Sequence, residues 1–429
     1  MWRTYLVLLA DLQRALSRRL DKLHAAGVPR TWREVIPPPI PDQDNAAVLY
    51  EQAFSTLNFD VLGNMEDRDL LNRFVTDSSP RSREKARPEV RLIIAANQAA
   101  LTLVKQGAAR PRCRFAIDWD ELPPLVLYPQ FAHARVCVRM LAADALLAAE
   151  EGDGQRAIES YRSAVRMSAH VASEPAMIAF LASAGMQRFP LSILPDVLAQ
   201  MEVKPSVCYA LWRDLESLDY DTSFRRGVAV EAYVALWLFE TADRRPGEFT
   251  RLLEEPNGLR GRAWLRAYLS PVWRLGRLRE EIGYAEVLQT TLDICGKPYR
   301  LCKREADAAQ RQANSARSYQ FVSNVWRFHP APLVIARDRA VAVRNAMQVA
   351  LALEAYHTAR GAYPDSLDAL REYPGWTLHE DPFSGKPFVY HRQGAGFVLY
   401  SFGEDLDDDG GIPGQAGSGQ GDLVWECKS

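Results

Sequence analysis

The sequence has little of what marks disulfide-rich or nucleic-acid-binding proteins. Its 429 residues include 6 cysteines, and none of them form a Cys-x-x-Cys pair, which excludes a disulfide-dense scaffold and a zinc ribbon. Cys295 and Cys302 alone are close enough in sequence to suggest a local bridge, and two buried thiols are an equal alternative. The 52 Lys and Arg residues nearly balance the 54 Asp and Glu residues. Because this balance creates no general field for polyanions, the composition implies no nucleic-acid partner.

The motifs of common enzyme classes are absent as well. The sequence contains no G-x-S-x-G, no H-E-x-x-H, no G-x-x-x-x-G-K-[ST] and no G-x-G-x-x-G before a helix. These absences predict a protein that is not an enzyme. One alternative stays open: Asp118 and Asp120 flank Trp119, and a carboxylate pair beside an aromatic ring can serve a hydrolase. A loop that is packed by Trp119 and does no chemistry explains the same residues.

Long apolar runs are also missing at the N-terminus. Only residues 5–10 are continuously apolar there, which is too short for an export signal or a membrane span. Residues 12–26 have helical spacing, and four prolines at 37, 38, 39 and 41 then disfavour helix. We therefore expect residues 1–44 to form a helix and a Pro-rich strap, with Asp42 or Asp44 capping the next helix. Membrane association through an anchor upstream of this sequence is a further expectation, because such a helix is typical of the segment that leaves an anchor.

Residues 45–330 are predicted to form a large α-helical body. Helical periodicity covers residues 125–151, 154–173, 175–199, 205–218, 227–244 and 262–295. The stretch AADALLAAEEGDGQRAIESYRSAVRMS resembles one tetratricopeptide hairpin, with Ala157, Tyr161 and Ala164 on one face. No second copy follows at the period of that repeat, so the prediction is an array of helical hairpins, with a true solenoid left open. We expect protein partners to bind this body.

Residues 331–429 have a different character and are predicted to form a small α+β domain. A long helix over residues 333–358 is followed by KPFVYHRQ, GAGFVLYSFG and DLVWECK, which are short runs of strand-forming residues. QGAG between the first two runs predicts a hairpin turn. The expected fold is therefore a helix followed by an antiparallel sheet.

Landmark residues in this domain follow one another in a set order. They are Tyr356, Gly361, Tyr363, Pro364, Leu367, Leu370, Asp381, Pro382, Gly385, Pro387, Tyr390, Ser401, Gly403, Asp405, Gly410, Gly411, Asp422 and Trp425. In their order they resemble the globular domain of type II secretion major pseudopilins. Two spacings differ, since an extra residue separates Pro382 from Gly385 and Asp422 stands three rather than four residues before Trp425. The resemblance implies a structural role for the acids, a place in the cell envelope or periplasm and a link to secretion or surface assembly. A pilin, however, begins with its own apolar assembly helix, whereas residues 1–330 precede this domain and resemble membrane-anchored envelope proteins of planctomycete-like bacteria.

The acidic stretch GEDLDDDGG has the residue types of a calcium loop. Asp405, Asp407 and Asp409 stand at alternate positions before Gly410, which is the opening half of an EF-hand loop. The acid that an EF-hand needs at its twelfth position is replaced by Ala416, so a complete EF-hand is excluded. The pseudopilin resemblance implies Asp422 as a later ligand. We therefore predict Ca²⁺ on Asp405, Asp407, Asp409 and Asp422, and an acidic surface loop without metal is the alternative.

The sequence thus predicts a mainly α protein, an array of helical hairpins followed by a pseudopilin-like α+β domain. The predicted function is a non-enzymatic scaffold or interaction protein of the cell envelope, with Ca²⁺ stabilising the C-terminal domain. The alternative is a hydrolase whose carboxylate site lies in a cleft between the helical body and that domain.

Overall fold

The computed structural model describes the chain except for residues 1, 59–64, 78, 120–125, 127, 202, 255–264, 266–267, 316–319, 372–374, 415–418 and 428–429. The described part is mainly helical and has a small antiparallel sheet near its C-terminus, as predicted. The α-helices are α1 (Trp2–Ala25), α2 (Trp32–Val35), α3 (Ala46–Ser55), α4 (Met65–Thr76), α5 (Pro80–Ala96), α6 (Gln98–Ala108), α7 (Gln130–Glu150), α8 (Gly154–Ala172), α9 (Met177–Ala199), α10 (Pro205–Glu216), α11 (Tyr220–Arg244), α12 (Pro246–Glu254), α13 (Arg274–Ile294), α14 (Tyr299–Asn314), α15 (Phe321–Val325), α16 (Pro330–Arg360) and α17 (Asp368–Arg371). The strands are β1 (Val389–Gln393), β2 (Gly396–Ser401) and β3 (Leu423–Cys427).

The hairpin of α7 and α8 lies at the centre of the helical core. Gly152 takes a left-handed conformation between the two helices (φ 78°), and Asp153 caps α8 by accepting a hydrogen bond from the Arg156 amide at 3.1 Å. Ala157 and Ala164 are fully buried, and their small side chains let the neighbouring helices approach closely. The predicted hairpin is present, while its kinship to tetratricopeptide repeats stays a prediction.

Helix α9 packs against both helices of this hairpin and against α11. Among the described residues it is the one helix long and apolar enough to cross a membrane by length and composition, with a mean hydropathy of 1.3 over its window. Because 67% of that window is buried inside the protein, its apolar character is also what a core helix requires.

The N-terminal helix starts earlier than the sequence pattern predicts. α1 begins at Trp2, so the apolar residues 5–10 form its first turns, and Leu6 and Val7 are exposed there. Further along, α1 packs against α13, where Arg19 pairs with Glu286. The apolar run therefore extends the amphipathic helix.

The predicted cap of α3 is wrong by one to three residues. Asn45, and neither Asp42 nor Asp44, is the N-cap, and its side-chain oxygen accepts a hydrogen bond from the Ala47 amide at 3.2 Å. Asp44 pairs instead with Arg112 at 2.8 Å. The Asn45 side chain also donates a hydrogen bond to the Arg114 carbonyl at 3.0 Å and accepts one from the Arg114 amide at 2.8 Å. These contacts with a residue distant in sequence hold Asn45 in place, and local residue preferences do not predict them.

The helix predicted over residues 262–295 is shorter than expected. α13 begins at Arg274 and follows a 3₁₀ turn over Pro271–Trp273, while part of the predicted segment lies outside the described residues. Ser270 is extended (φ −67°, ψ 150°) because the ring of Pro271 disfavours helical backbone at the residue before it.

All six cysteines are free thiols, so the suggested bridge between Cys295 and Cys302 does not form. Both residues are buried, and the Cys302 thiol lies 3.4 Å from the carbonyl of Pro298, to which it donates. They act as small apolar core residues.

Helix α16 starts the predicted C-terminal domain and is embedded in the helical body. Arg337 is 2% exposed, and its guanidinium donates to the carbonyls of Cys295 and Lys297 in the turn between α13 and α14. Asp338, next to it, accepts a hydrogen bond from the Tyr299 amide at 2.5 Å. The division at residues 44 and 330 stays a prediction, and α16 belongs by its contacts to both sides of the second boundary.

The sheet has the strand order β1-β2-β3, with both pairs antiparallel. Gln393 pairs with Gly396 across the two-residue turn at Gly394 (φ 58°), which confirms the hairpin predicted from QGAG. Ser401 at the end of β2 pairs with Leu423 at the start of β3. The chain between β2 and β3 therefore leaves and re-enters the sheet at one place.

Candidate metal centre

The acidic loop, residues 402–422, connects β2 to β3. Since its two ends are paired in the sheet, residues near its start and near its end lie together. A third stretch runs beside them, because the Asp422 amide donates to the carbonyl of Ile412 at 3.0 Å. Three parts of the loop thus converge on Asp422.

Asp405 ties the start of the loop to its end. Its Oδ2 accepts a hydrogen bond from the Gly421 amide at 2.8 Å, and its Oδ1 accepts one from the Asp407 amide at 3.4 Å. Gly403 allows this close approach, because a Cβ at that position would lie 2.5 Å from the carbonyl oxygen of Gly421. Asp405 is therefore bonded to the residue that precedes Asp422, where glycine at position 403 lets the two parts of the chain come close.

Asp422 is the most buried acid of the loop, with 3% of its surface exposed. Its Oδ2 accepts a hydrogen bond from the Gly411 amide at 2.6 Å. Its Oδ1 is also buried and has no hydrogen-bond partner in the described part of the chain. A buried carboxylate oxygen without a partner is costly, so this atom requires a proton or a cation.

The electrostatics of the loop also favour a proton or a cation at Asp422. Burial raises the pKa of Asp422 above its ordinary value, and the charges of Asp408 and Asp409 raise it further, against the lowering effect of the Gly411 and Asp409 amides.

Leu406 has a left-handed backbone (φ 70°), the one case among the described residues other than glycine. Such strain persists only where the surrounding contacts hold the chain in place.

Of the remaining predicted ligands, Asp409 lies near Asp422, on which its amide and its charge both act. Asp407 and Asp409 are exposed. Asp408, which the alternate spacing passes over, accepts hydrogen bonds from the Gly410 amide at 3.0 Å and from the Tyr400 hydroxyl at 3.3 Å. Within the described ranges, no group of three or more His, Cys, Asp or Glu side chains gathers closely enough to hold a metal ion.

The donor types still fit a hard cation. Carboxylate and backbone oxygens are the ligands of Ca²⁺, and the described loop offers these in place of sulfur or imidazole. Of the predicted ligands, Asp405 bonds the Gly421 amide next to Asp422, and Asp409 acts on Asp422 through its amide and its charge. Asp407 is exposed. Glu404 ties the loop to α16 through an ion pair with Arg339 at 3.0 Å.

The residues behind the hydrolase alternative are placed differently. Asp118 is exposed, and the backbone carbonyl of Trp119 accepts a hydrogen bond from the Trp32 indole at 3.0 Å. Asp120 lies outside the described residues. Trp119 packs on Trp32 with ring centroids 5.6 Å apart, so the ring contributes to packing as the non-catalytic explanation expects.

Comparisons with protein-family models, with curated proteins and with solved structures find no match to this chain.

Proposed function

We propose that this protein is a non-enzymatic scaffold or interaction protein of the cell envelope whose C-terminal domain is stabilised by Ca²⁺. The observation that supports the calcium part is the buried, unpartnered Oδ1 of Asp422 at the point where three parts of the acidic loop converge. A divalent cation satisfies that oxygen and offsets the repulsion among Asp405, Asp408, Asp409 and Asp422.

Calcium suits this loop better than magnesium does. Ca²⁺ accepts six to eight oxygen ligands in variable geometry, whereas Mg²⁺ requires a near-ideal octahedron. Asp405 and Asp422 would hold the ion, and Asp407 and Asp409 are the expected further ligands from the same loop. The periplasm and cell surface suit a weak site, because extracellular calcium sites work at affinities of about 10⁻⁴–10⁻³ M.

The scaffold part of the proposal rests on the architecture of the helical body. Long helices pack around α7, α8 and α9 and leave apolar side chains on their outer faces, among them Leu92 (67% exposed), Ile178 (49%) and Leu301 (59%). Single exposed residues of this kind are common, and we propose that protein partners bind the body. Asp118 is exposed, so burial gives the hydrolase alternative no support.

The proposal is tested on the full chain by thermal unfolding in calcium, in magnesium and in chelator. A cation bound only by the folded state at a hundred times its dissociation constant stabilises by about 2.7 kcal/mol. We expect calcium to raise the unfolding midpoint and magnesium to raise it less. An unchanged midpoint in calcium refutes the metal assignment.

The proposed location in the cell envelope and the proposed surface assembly are tested by separate measurements. Cell fractionation should place the protein in the envelope or periplasm, and sedimentation at micromolar concentration should report self-association if the protein builds a surface assembly. Recovery in the cytosolic fraction alone contradicts the proposed location.

A further inference from the structure

A pocket of about 680 Å³ lies beneath the Pro-rich strap, far in sequence from the acidic loop. Residues 37–40 of the strap form one wall, residues 108–114 form a second, and Arg166, His170, Glu174 and Asp214 contribute from the helical core. We call it the strap pocket. It combines a buried acid with several arginines, and neither the proposed scaffold role nor the calcium loop makes use of it.

The acid of the strap pocket is Glu174, of which 2% is exposed. Its Oε1 accepts a hydrogen bond from the Phe115 amide at 2.8 Å. Its Oε2 is buried and has no hydrogen-bond partner in the described part of the chain. Because a buried polar atom without a partner is costly, burial of this oxygen favours the protonated form of the carboxyl group.

The arginines of the pocket carry more positive charge than their partners neutralise. Asp214 is shared by Arg166, at 2.8 Å, and Arg162, at 2.5 Å. Arg110 donates at 2.7 Å to the backbone carbonyls of residues 42 and 45, which carry no net charge. The guanidinium of Arg114 has neither a hydrogen bond nor an ion pair within the described residues. The local field therefore favours an anion.

We propose that the strap pocket binds a small oxyanion, the carboxylate or the phosphate-type group of an organic ligand. Arg114 supplies a guanidinium that is free to form charge-assisted hydrogen bonds with such a group. Glu174 in its protonated form leaves no negative charge beside that group, which favours the bound anion. The strap itself, with Pro37, Pro38 and Pro39, offers apolar surface to the carbon part of the ligand.

Glu174 is the group of the strap pocket that takes up or releases a proton near neutral pH. Burial raises its pKa to about 7, against the lowering effects of the Phe115 amide and of Arg114 and Arg226. Cys113 and Tyr128, which the Glu174 charge also affects, stay neutral because burial raises the pKa of each.

His170 adds no charge to the pocket near neutral pH. Burial lowers its pKa to about 4, and its Nδ1 shares a hydrogen bond of 2.8 Å with the Tyr50 hydroxyl. Its imidazole is therefore neutral where Glu174 titrates. Anion binding is expected to be coupled to the uptake of one proton, since the anion favours the neutral form of Glu174.

The test uses the full chain and two probes whose charges stay constant between pH 6 and pH 8, sulfate for a tetrahedral oxyanion and acetate for a carboxylate. Isothermal titration at matched ionic strength should show about tenfold tighter binding at pH 6 than at pH 8, the ratio that a carboxyl group with a pKa of about 7 produces. Arg114→Gln should weaken binding about tenfold or more. Glu174→Gln keeps an acceptor for the Phe115 amide and carries no charge at either pH, so it should bind equally well at both pH values.

Arg371→Gln is the matched control, because Arg371 is an exposed arginine of α17 that lies outside the pocket. It should bind both probes like the unchanged protein. Binding of sulfate alone supports a phosphate-type ligand, and binding of acetate alone supports a carboxylate ligand. Failure of both probes to bind, or binding that Arg114→Gln and Arg371→Gln affect equally, overturns the proposal without bearing on the calcium loop.

Discussion

The carboxylate of Asp381 accepts a hydrogen bond from the hydroxyl of Ser401 at 2.7 Å, and both residues are buried. Asp381 belongs to the turn before β1, and Ser401 is the last residue of β2. The same carboxylate accepts hydrogen bonds from the Phe383 and Ser384 amides at 3.1 and 2.9 Å. Two landmarks that are separate in the sequence thus form one unit from which the acidic loop starts.

Replacing this acid should destabilise the C-terminal domain. Asp381→Ala leaves two backbone amides and a buried hydroxyl without an acceptor, which should lower the free energy of unfolding by about 1–3 kcal/mol. Urea unfolding of the full chain measures this. Asp365→Ala is the control, since the Asp365 side chain is 95% exposed and its removal should change stability by less than about 0.5 kcal/mol. Equal effects of the two substitutions would show that the buried bonds contribute nothing.

Alanine substitutions at Gly403 and Gly394 distinguish the free-energy cost of backbone strain from that of a steric clash. Both have positive φ, 75° and 58°, so alanine at either site costs roughly 1 kcal/mol of backbone strain. At Gly403 the new Cβ also meets the Gly421 carbonyl at 2.5 Å, whereas nothing lies within 4 Å at Gly394. We expect Gly403→Ala to be clearly more destabilising in urea and to weaken calcium binding. Gly394→Ala should leave calcium binding unchanged.

Asp422→Asn should separate calcium binding from folding. Asparagine keeps an acceptor for the Gly411 amide and removes a buried charge, so the unfolding midpoint in chelator should stay the same or rise. The rise caused by calcium should disappear, because the variant lacks the charged ligand. Asp368→Asn, with its side chain 84% exposed in α17, should respond to calcium like the unchanged protein. A normal calcium response of Asp422→Asn would remove this residue from the site.

The buried pair in α16 should couple the C-terminal domain to the body. Asp338→Asn leaves the charge of Arg337, 2% exposed, without its adjacent carboxylate, and breaking a buried pair costs about 3–5 kcal/mol. Arg339→Gln, which breaks the half-exposed pair with Glu404, should cost less than about 1 kcal/mol. We expect one cooperative transition in urea for the unchanged chain. Two separate transitions would support a boundary near residue 330.

Glu231 makes stability fall as pH rises. Burial raises its pKa from 4.5 to about 7, although the Trp326 indole donates to it at 3.0 Å and lowers the pKa. Between these two pKa values the folded state holds a proton that the unfolded state releases, so the penalty grows through this range and is complete above pH 7. Glu231→Gln should therefore raise the melting midpoint by a few degrees at pH 8 and change it little at pH 4. An equal change at both pH values would contradict the assignment.

Several features were predictable because they depend on neighbours in the sequence. Helical periodicity located α7, α8 and α9, strand-forming runs located β1 and β2, and QGAG marked the hairpin. The errors came from distant partners or from proline. Asn45 is the cap, and its side chain is held by the backbone of the distant residue Arg114. Pro271 separates α13 from the residues before it.

The candidate sites also combine features that the sequence predicts with features that depend on distant residues. The sequence by itself determined which carboxylates stand in the acidic loop, and their spacing predicts a cation. Only the tertiary structure decided that Asp422 is buried with a free oxygen, because the pairing of β2 with β3 excludes water there. Likewise, Glu174 and Arg114 carry no local signal, since burial and the partners that neighbouring charges take are properties of the packed chain. The sequence gives the position of each charged residue along the chain, whereas the free-energy cost of burying its charge depends on the distant residues that surround it in the fold.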